Sequence, residues 1–185
     1  MRFHGLLSDD MKIITSANDI NKYCPKSIKT ISFYQIGCLF DNILEAGMKH
    51  FVEIGFMPSA LASCKKTVFY YKGNITQPKD YDKWKDLIKS LIKYLIKRYG
   101  KDEVESWYFE VWNEPNLKYF WSSTKEEYFK LYECTSKAIK NINSNLKVGG
   151  PSTADNKWIT DLINNCKEKN ITLDFISANH YSGYH

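Results

Sequence analysis

The most regular pattern along the chain is an apolar stripe at helical spacing in residues 81–99. Its members recur every three or four positions with lysines between them, and Gly100 follows as a stop signal. This spacing predicts a helix whose apolar face covers a sheet, although it also fits a face that binds a partner. The stripe consists of Trp84, Leu87, Ile88, Leu91, Ile92, Leu95 and Ile96.

Three other segments show the same period and predict helices over residues 31–46, 125–143 and 157–167. Thr124 has Glu127 three residues later, which is the spacing of a capping box at a helix start. Short apolar runs rich in β-branched and aromatic residues alternate with the helices, as is typical of strands buried on both faces. The predicted strands are residues 2–6, 50–56, 107–112, 146–149 and 173–178.

The alternation of five strands with four helices predicts an α/β fold in one domain, residues 1–185. Strands joined through helices pair in parallel with right-handed crossovers. Two architectures fit this pattern: an open doubly wound sheet and an incomplete (β/α)8 TIM barrel. No G-x-G-x-x-G or Walker-type loop follows a strand, so the sequence does not favour nucleotide binding.

The composition narrows the range of partners. The net charge of +5 comes with lysines scattered over the predicted helix faces, without the basic stripe expected for nucleic-acid binding. No apolar run approaches the roughly 20 residues that cross a bilayer, so no membrane partner is expected. No cluster of His, Asp or Glu has metal-ligand spacing, so neither a metal nor another cofactor is expected.

The five cysteines predict reduced thiols that act as small core residues. Their number is odd and no pair has C-x-x-C spacing, which argues against a zinc site or a redox pair. Reduced thiols favour a reducing compartment and hence the cytoplasm. The cysteines are Cys24, Cys38, Cys64, Cys134 and Cys166.

Candidate chemistry gathers where the predicted strands end, which is where (β/α)8 barrels place their active sites. Glu114 directly follows an apolar strand and is flanked by Trp112 and Asn113. A carboxyl group there fits acid/base work on a sugar, with Trp112 as a stacking platform and Asn113 as a partner for a sugar hydroxyl. A helix-capping or salt-bridged Glu114 is the structural alternative, because carboxylates are rarely buried without a partner.

Two aromatic residues and two further carboxylates stand near these strand ends. Phe56, at the end of the second strand, and Trp121, in the loop after the third, are candidates for walls of a sugar site. Glu53 and Glu110 lie within strands rather than at their ends. For both we expect structural roles, either pairing with Arg2 or a lysine or lining the barrel.

Four stretches, in this order, resemble glycoside hydrolase family 39, and the resemblance extends over essentially the whole chain. The Asn-Glu-Pro at residues 113–115 is similar to the signature at the end of the fourth strand in the clan of retaining (β/α)8 glycosidases. Family 39 contains bacterial β-xylosidases and α-L-iduronidases, and residues 67–71 look more like the β-xylosidase branch. The stretches are RFHGLLSDD (2–10), FVEIGFMP (51–58), FEVWNEPNL (109–117) and KVGGP (147–151).

The resemblance implies roles for individual residues. Glu114 matches the general acid/base, and Asn113 matches the asparagine that contacts the sugar beside it. His4 matches a substrate-contacting histidine, with a structural histidine as the alternative. Tyr181 matches a substrate-binding tyrosine near the nucleophile. Retaining glycosidases need no metal, which agrees with the absence of a metal-ligand cluster.

One position departs from the family pattern. A histidine usually stands two residues before the tyrosine that Tyr181 matches, and here the residue is Asn179. His180 is one place along, and a shift of one residue on a strand points a side chain to the opposite face. Either the backbone bulges there, or Asn179 and His180 do not supply the usual sugar contact.

The five predicted strands resemble the second to sixth of the family's eight, so the nucleophilic glutamate of the seventh strand has no counterpart. The leading hypothesis is therefore part of a β-xylosidase barrel, acting on xylo-oligosaccharides or β-xylosides and inactive alone. A non-catalytic sugar-binding or scaffold remnant, including half of a split barrel, and an α-L-iduronidase-like glycosidase are the alternatives. Because an open arc exposes strand edges, self-association is also expected.

Overall fold

The structure, a computed structural model of the chain, describes residues 1–15 and 30–180. After a 3-10 turn at Asp9–Met11, helices and strands alternate along these residues. The strands are β1 (Ile14–Thr15), β2 (Thr30–Ile31), β3 (Phe51–Ile54), β4 (Thr67–Val68), β5 (Gly73–Asn74), β6 (Tyr108–Val111), β7 (Lys147–Ala154) and β8 (Phe175–Asn179). The helices are α1 (Tyr34–Glu45), α2 (Tyr81–Tyr99), α3 (Lys101–Glu105), α4 (Lys125–Lys140) and α5 (Ile159–Glu168).

The central element is a parallel sheet with the strand order β3-β6-β7-β8. Neighbours in the sheet follow one another in the chain, and helices connect them, as expected for successive β/α units. Strand order without a reversal is the arrangement of a barrel arc rather than of a doubly wound sheet. The antiparallel pairs β1–β2 and β4–β5, with two residues in each strand, lie outside this sheet.

Residues 2–6 do not form the predicted first strand, so the sheet in the described residues has four strands rather than five. Gly5 has a φ of +84°, and Ser8 N donates to Gly5 O at 3.0 Å, so the segment turns instead of continuing a ladder. The segment still runs beside β3. Its two backbone hydrogen bonds there join Phe51 N to Met1 O (2.9 Å) and Leu7 N to Gly55 O (2.8 Å).

Helix α2 confirms the prediction from the apolar stripe, because it spans Tyr81–Tyr99 and its apolar face is buried. The Asp80 side chain caps its start by accepting from the backbone N–H groups of Asp82 and Lys83. Trp84 lies in the core and donates from Nε1 to Thr135 Oγ1 at 2.8 Å, which joins α2 to α4. Beyond Gly100 the chain forms the short helix α3, which the stop signal did not predict.

The predicted capping box at α4 is half correct. Thr124 Oγ1 accepts from Glu127 N at 3.2 Å, as the spacing predicts. The Glu127 carboxylate does not reach back, however, and accepts from the Tyr81 hydroxyl at 2.6 Å. The start of α4 is therefore tied to the start of α2, and both helices keep a fixed position on the sheet.

The prediction that the cysteines fill the core is wrong for two of them. Cys38 and Cys64 are exposed, Cys134 is half-buried and Cys166 is buried, and these four are free thiols. Cys38 lies on the outer side of α1, beyond the width of its apolar stripe. Cys24 lies outside the described residues. Within residues 1–15 and 30–180, no helix has the length and apolar character needed to cross a membrane.

Candidate active site

The candidate site lies where the strands of the sheet end, and Asn113 and Glu114 follow β6 directly. Trp112 and Glu114 have positive φ values of 71° and 44°, which are uncommon for residues other than glycine. Hydrogen bonds to both neighbouring strand ends hold this turn: Trp112 N donates to Ile54 O at 3.1 Å and Glu114 N donates to Ser152 O at 2.8 Å. The turn is therefore fixed from two sides.

Ser152 is the residue that makes this arrangement possible on the β7 side. The pairing of β7 with β8 shifts register between Pro151 and Thr153, so Ser152 is left out of the ladder as a bulge, with a φ of 52°. Its carbonyl oxygen accepts from Glu114 N (2.8 Å) and its hydroxyl accepts from Arg2 Nη2 (2.9 Å). Bulges of this kind commonly re-aim groups beside active sites.

The Glu114 carboxylate is largely buried, with the residue 6% exposed. Its Oε1 accepts from Asn179 Nδ2 at 3.2 Å. In the described part of the chain no cation pairs with it and no helix begins at it. Neither structural alternative, a helix cap or a salt bridge, therefore fits Glu114 in these residues, and the carboxyl group remains available for chemistry.

The Asn113 amide has a defined orientation. Its Oδ1 accepts from Arg2 Nη2 at 2.8 Å and from Asn179 Nδ2 at 3.0 Å. Because two donors face this oxygen, the amide nitrogen must point the other way and is left to donate elsewhere. The structure thus places Asn113 and Glu114 together with Asn179, as three of the residues that the sequence singles out.

Arg2 confirms the predicted pairing of the strand carboxylates. Its Nε donates to Glu110 Oε2 at 2.6 Å, and its Nη2 lies 3.2 Å from Glu53 Oε2. Glu53 Oε2 is also 2.7 Å from His4 Nδ1, although neither of its two contacts is a well-aligned hydrogen bond. Burial raises the pKa of Glu110, and the adjacent Arg2 charge partly opposes this rise.

His4 fits either of its two readings. The side chain is partly exposed, its ring lies 6.2 Å from the ring of Phe120, and Nδ1 faces Glu53. The contact with Glu53 gives it a structural partner, while its exposure leaves the rest of the ring accessible. The contact of His4 with a sugar therefore stays a prediction.

The structure separates Asn179 from His180. Asn179 is half-buried and turns toward Glu114, whereas His180 is exposed at the alternate position. β8 runs regularly through Phe175–Asn179, and the bulge lies in β7 instead. His180 therefore faces away from the side of β8 that carries Asn179, and its predicted role in sugar binding stays a prediction. Tyr181 lies outside the described residues.

The predicted aromatic walls lie behind the site rather than in it. Phe56, Trp112 and Trp121 are each no more than 1% exposed, which leaves almost no ring surface for a sugar. Trp121 packs edge-on against Trp112 at 5.1 Å and donates from Nε1 to Thr124 O at 2.9 Å. Phe56 packs edge-on against Trp112 at 5.7 Å. Because these rings pack against one another and leave almost no surface of Trp112 exposed, the predicted stacking of a sugar on Trp112 is not supported.

An aromatic group that the site prediction did not include stands at the same rim. Phe69, in the turn between β4 and β5, is 51% exposed. Its ring lies 5.6 Å from Phe120, which in turn neighbours His4. Tyr71 packs on Phe69 at 5.4 Å. The aromatic run in residues 67–71 was the available signal, but only the folded hairpin shows that it reaches the strand ends.

Comparison with known proteins agrees with this geometry. In (β/α)8 barrels the active site lies at the carboxyl ends of the strands, and Asn113 and Glu114 stand just after the end of β6. The family model "Glycosyl hydrolases family 39" matches residues 1–184, and the chain belongs to this family.

Individual relatives match nearly the whole chain. The Beta-xylosidase of Caldicellulosiruptor saccharolyticus is 51% identical over 182 residues, covering 98% of this chain and 36% of the relative. The Beta-xylosidase of Geobacillus stearothermophilus is 46% identical over 185 residues, with the same coverage of 98% and 36%. The chain thus spans about a third of the length of these relatives.

A solved structure shows the same fold. The monomeric beta-xylosidase from Caulobacter crescentus CB15 superposes with a TM-score of 0.89 at 37% identity, covering 97% of this chain and 35% of that one. The four-stranded sheet with its helices is therefore part of a (β/α)8 barrel. Human Alpha-L-iduronidase matches only 70 residues, 37% of this chain, at 39% identity.

Proposed function

We propose that these residues form part of the catalytic barrel of a retaining β-xylosidase in which Glu114 is the general acid/base. The observation that carries the proposal is the Glu114 carboxylate, which lies just after the end of β6, accepts from the Asn179 amide and forms no ion pair within the described residues. The two relatives described as Beta-xylosidase, at 51% and 46% identity, support the choice of sugar.

In this mechanism the protonated Glu114 donates its proton to the glycosidic oxygen as the bond to the xylose breaks. A second carboxylate attacks the sugar and forms a glycosyl-enzyme, with the two carboxyl groups about 5–5.5 Å apart. Glu114, now ionised, then takes a proton from a water molecule as the water oxygen attacks the sugar, which breaks the bond to the second carboxylate and releases the sugar. The family carries the second carboxylate on a seventh strand, which has no counterpart in the four-stranded sheet described.

A chimaeric barrel tests this proposal. In it, residues 1–184 of this chain replace the matching segment of the C. saccharolyticus relative, and hydrolysis of an aryl β-xyloside is measured. We expect turnover, and a loss of several orders of magnitude in Glu114→Gln, because cooperating catalytic groups are strongly non-additive. The matched control is Glu126→Gln on the exposed side of α4, which should keep full activity. A folded chimaera without turnover, or equal activity in both variants, would rule the proposal out.

The α-L-iduronidase alternative has little support. A uronic acid needs a cation for its carboxylate, and the arginine at these strand ends, Arg2, is already bonded to Glu53, Glu110 and Asn113. The short match to the human enzyme points the same way. We expect the chimaera to prefer an aryl β-xyloside to an aryl α-iduronide.

For the isolated chain we propose self-association, which is also what a non-catalytic remnant or half of a split barrel would show. On β8 the outward residues Ile176 and Ala178 are exposed, with Ile176 41% exposed, and this strand stands at the edge of the described sheet. Exposed apolar edges favour association. Size-exclusion chromatography should show species larger than a monomer; a sharp monomer peak with cooperative melting would contradict this.

A further inference from the structure

Asn179 makes the contacts on which the inference rests. Its Nδ2 lies 3.0 Å from Asn113 Oδ1, 3.2 Å from Glu114 Oε1 and 3.4 Å from Ser152 O. Within residues 1–15 and 30–180, no other side chain donates a hydrogen bond to the Glu114 carboxylate. One amide group therefore contacts both residues that the proposed chemistry needs.

The backbone, and not only the side-chain rotamer, brings Asn179 to this place. After the register shift at Ser152, the pairing of β7 with β8 continues with Ala154 opposite Asn179. Phe175, Ser177 and Asn179 then lie half-buried on one face of β8, while the alternate residues are exposed. The same bulge supplies the carbonyl that holds Glu114 N, so the positions of Glu114 and Asn179 depend on a single feature of β7.

The chemistry of an amide suits a fixed support. An asparagine NH2 donates two hydrogen bonds and does not titrate, whereas a histidine, the usual residue of the family here, changes charge near neutral pH. With two hydrogens directed at Asn113 and Glu114, the amide leaves both acceptors little freedom to turn. Its own Oδ1 accepts no hydrogen bond from the described residues and can face a ligand.

We propose that Asn179 is a positioning residue, which holds the Glu114 carboxylate and the Asn113 amide in one fixed relation in place of the histidine that the family usually carries. Because it acts through Glu114, this inference rests on the proposed function of that residue as acid/base. The proposed role of Asn179 is to orient the side chains of Asn113 and Glu114. This role is separate from any direct contact with the sugar.

Nuclear magnetic resonance on this chain tests the contact itself. The side-chain amide of Asn179 is identified as the signal that disappears in Asn179→Asp. In Glu114→Ala we expect this amide to shift and its hydrogens to exchange about fivefold faster, because its hydrogen bond to Glu114 Oε1 is lost. The Asn116 amide is the matched control, since its Nδ2 donates to Ala154 O at 3.2 Å, and it should not change. An unaltered Asn179 signal would overturn the proposal.

Kinetics in the chimaeric barrel give a second measurement that a merely structural role would not reproduce. Asn179→Leu keeps a similar volume, removes the donor and adds no charge, and we expect kcat for xylobiose to fall about tenfold or more. Hydrolysis of an aryl xyloside with a good leaving group needs little proton donation. The rate constant of its glycosylation step should therefore fall much less. Asn179→His, which can donate, should recover most of the loss.

The two proposals fail in distinguishable ways. Equal losses for xylobiose and the activated xyloside, or no recovery in Asn179→His, would overturn the positioning role. If the unsubstituted chimaera folds but hydrolyses neither substrate, the proposed function fails, and the amide measurement still decides whether Asn179 holds Glu114.

Discussion

The two ends of the central sheet carry different kinds of side chain, although the same strands form both ends. At the amino ends, the rings of Phe51, Tyr108 and Phe175 form one layer, with centroids 5.2 to 5.8 Å apart. Two residues further along, on the same face of β3 and β6, stand Glu53 and Glu110.

The difference shows how one face combines stability with chemistry. Ring packing is nearly non-directional, so the amino end tolerates small displacements. The charged layer, which consists of Arg2, Glu53 and Glu110, requires each of its members in place, because a buried carboxylate without a cation is costly. Arg2 meets this need for both carboxylates and extends the network to Asn113, so the support of the candidate site begins inside the barrel. Three substitutions and one change of pH test this contrast.

Removing the cation from the charged layer should have the largest effect. Arg2→Leu leaves Glu53 and Glu110 buried beside each other without their cation, which costs about 3–5 kcal/mol of unfolding free energy. Urea unfolding at a fixed chain concentration measures this loss. Adding Glu53→Gln and Glu110→Gln to the same variant should recover part of it. A cost below about 1 kcal/mol for Arg2→Leu would show that the network does not hold this end.

Truncating a ring at the amino end should cost less. Phe51 is half-buried, so Phe51→Ala is expected to lower the unfolding free energy by about 2 kcal/mol, through lost burial and a partly filled cavity. The Asn179 amide signal should not move. Phe51→Leu, which keeps much of the volume, is the control and should cost about half as much. A shifted Asn179 signal would mean that the two ends are not independent.

Acid should weaken the amino end through His50, which precedes β3 and stacks on Phe40 at 4.0 Å. Burial lowers the pKa of His50 to about 4, against 6.5 for an unperturbed histidine. As the pH falls below 6.5, His50 becomes protonated in the unfolded chain but stays neutral in the folded chain until about pH 4. The free energy of unfolding therefore decreases over this range. Between pH 7 and pH 5 the loss should be about 2 kcal/mol.

The variant His50→Gln isolates this effect, because glutamine does not titrate. Its unfolding free energy should change less between pH 7 and pH 5 than that of the unsubstituted chain, in the same urea titrations. The carboxylates, including Glu110 with its raised pKa, are the same in both chains, so their titration cancels in the comparison. The same slope in both chains would show that His50 is not the group responsible.

Glu114→Gln should have the smallest effect on stability, within about 0.5 kcal/mol. The glutamine oxygen can still accept from Asn179, and no ion pair in the described residues is broken. A loss of 2 kcal/mol or more, on the order of a broken buried pair, would mean that Glu114 is a structural carboxylate after all. Comparison with Arg2→Leu thus distinguishes a residue that stabilises the site from Glu114, the proposed catalytic residue.

Of the elements in the described residues, four helices and the four strands of the central sheet could be predicted from the sequence because their signals are local. The stripe of α2 repeats over five turns, and its bounds are correct at both ends. Residues 2–6 were also predicted to form a strand, yet a single left-handed glycine, Gly5, interrupts the ladder there. The missed helix α3 follows a glycine that stops one helix and starts the next.

The candidate site was only partly predictable. Motifs and resemblance singled out Asn113, Glu114 and Asn179, which the structure brings together. They also suggested Phe56 and Trp121, which are buried behind Trp112, because a sequence does not show which side of a ring is covered. The β7 bulge that removes Ser152 from the ladder had no signal in the apolar pattern.

The α/β alternation, the family and the candidate acid/base could be predicted from the amino-acid sequence alone, since periodicity and a motif of adjacent residues are properties of neighbouring positions. The residues that support that carboxylate become apparent only in the folded chain. Arg2, Ser152 and Asn179 are up to 177 positions apart in a chain of 185, and parallel strands with one bulge bring them within hydrogen-bond distance of the same turn. Such contacts depend on register, which the pattern of apolar residues specifies only to the correct face.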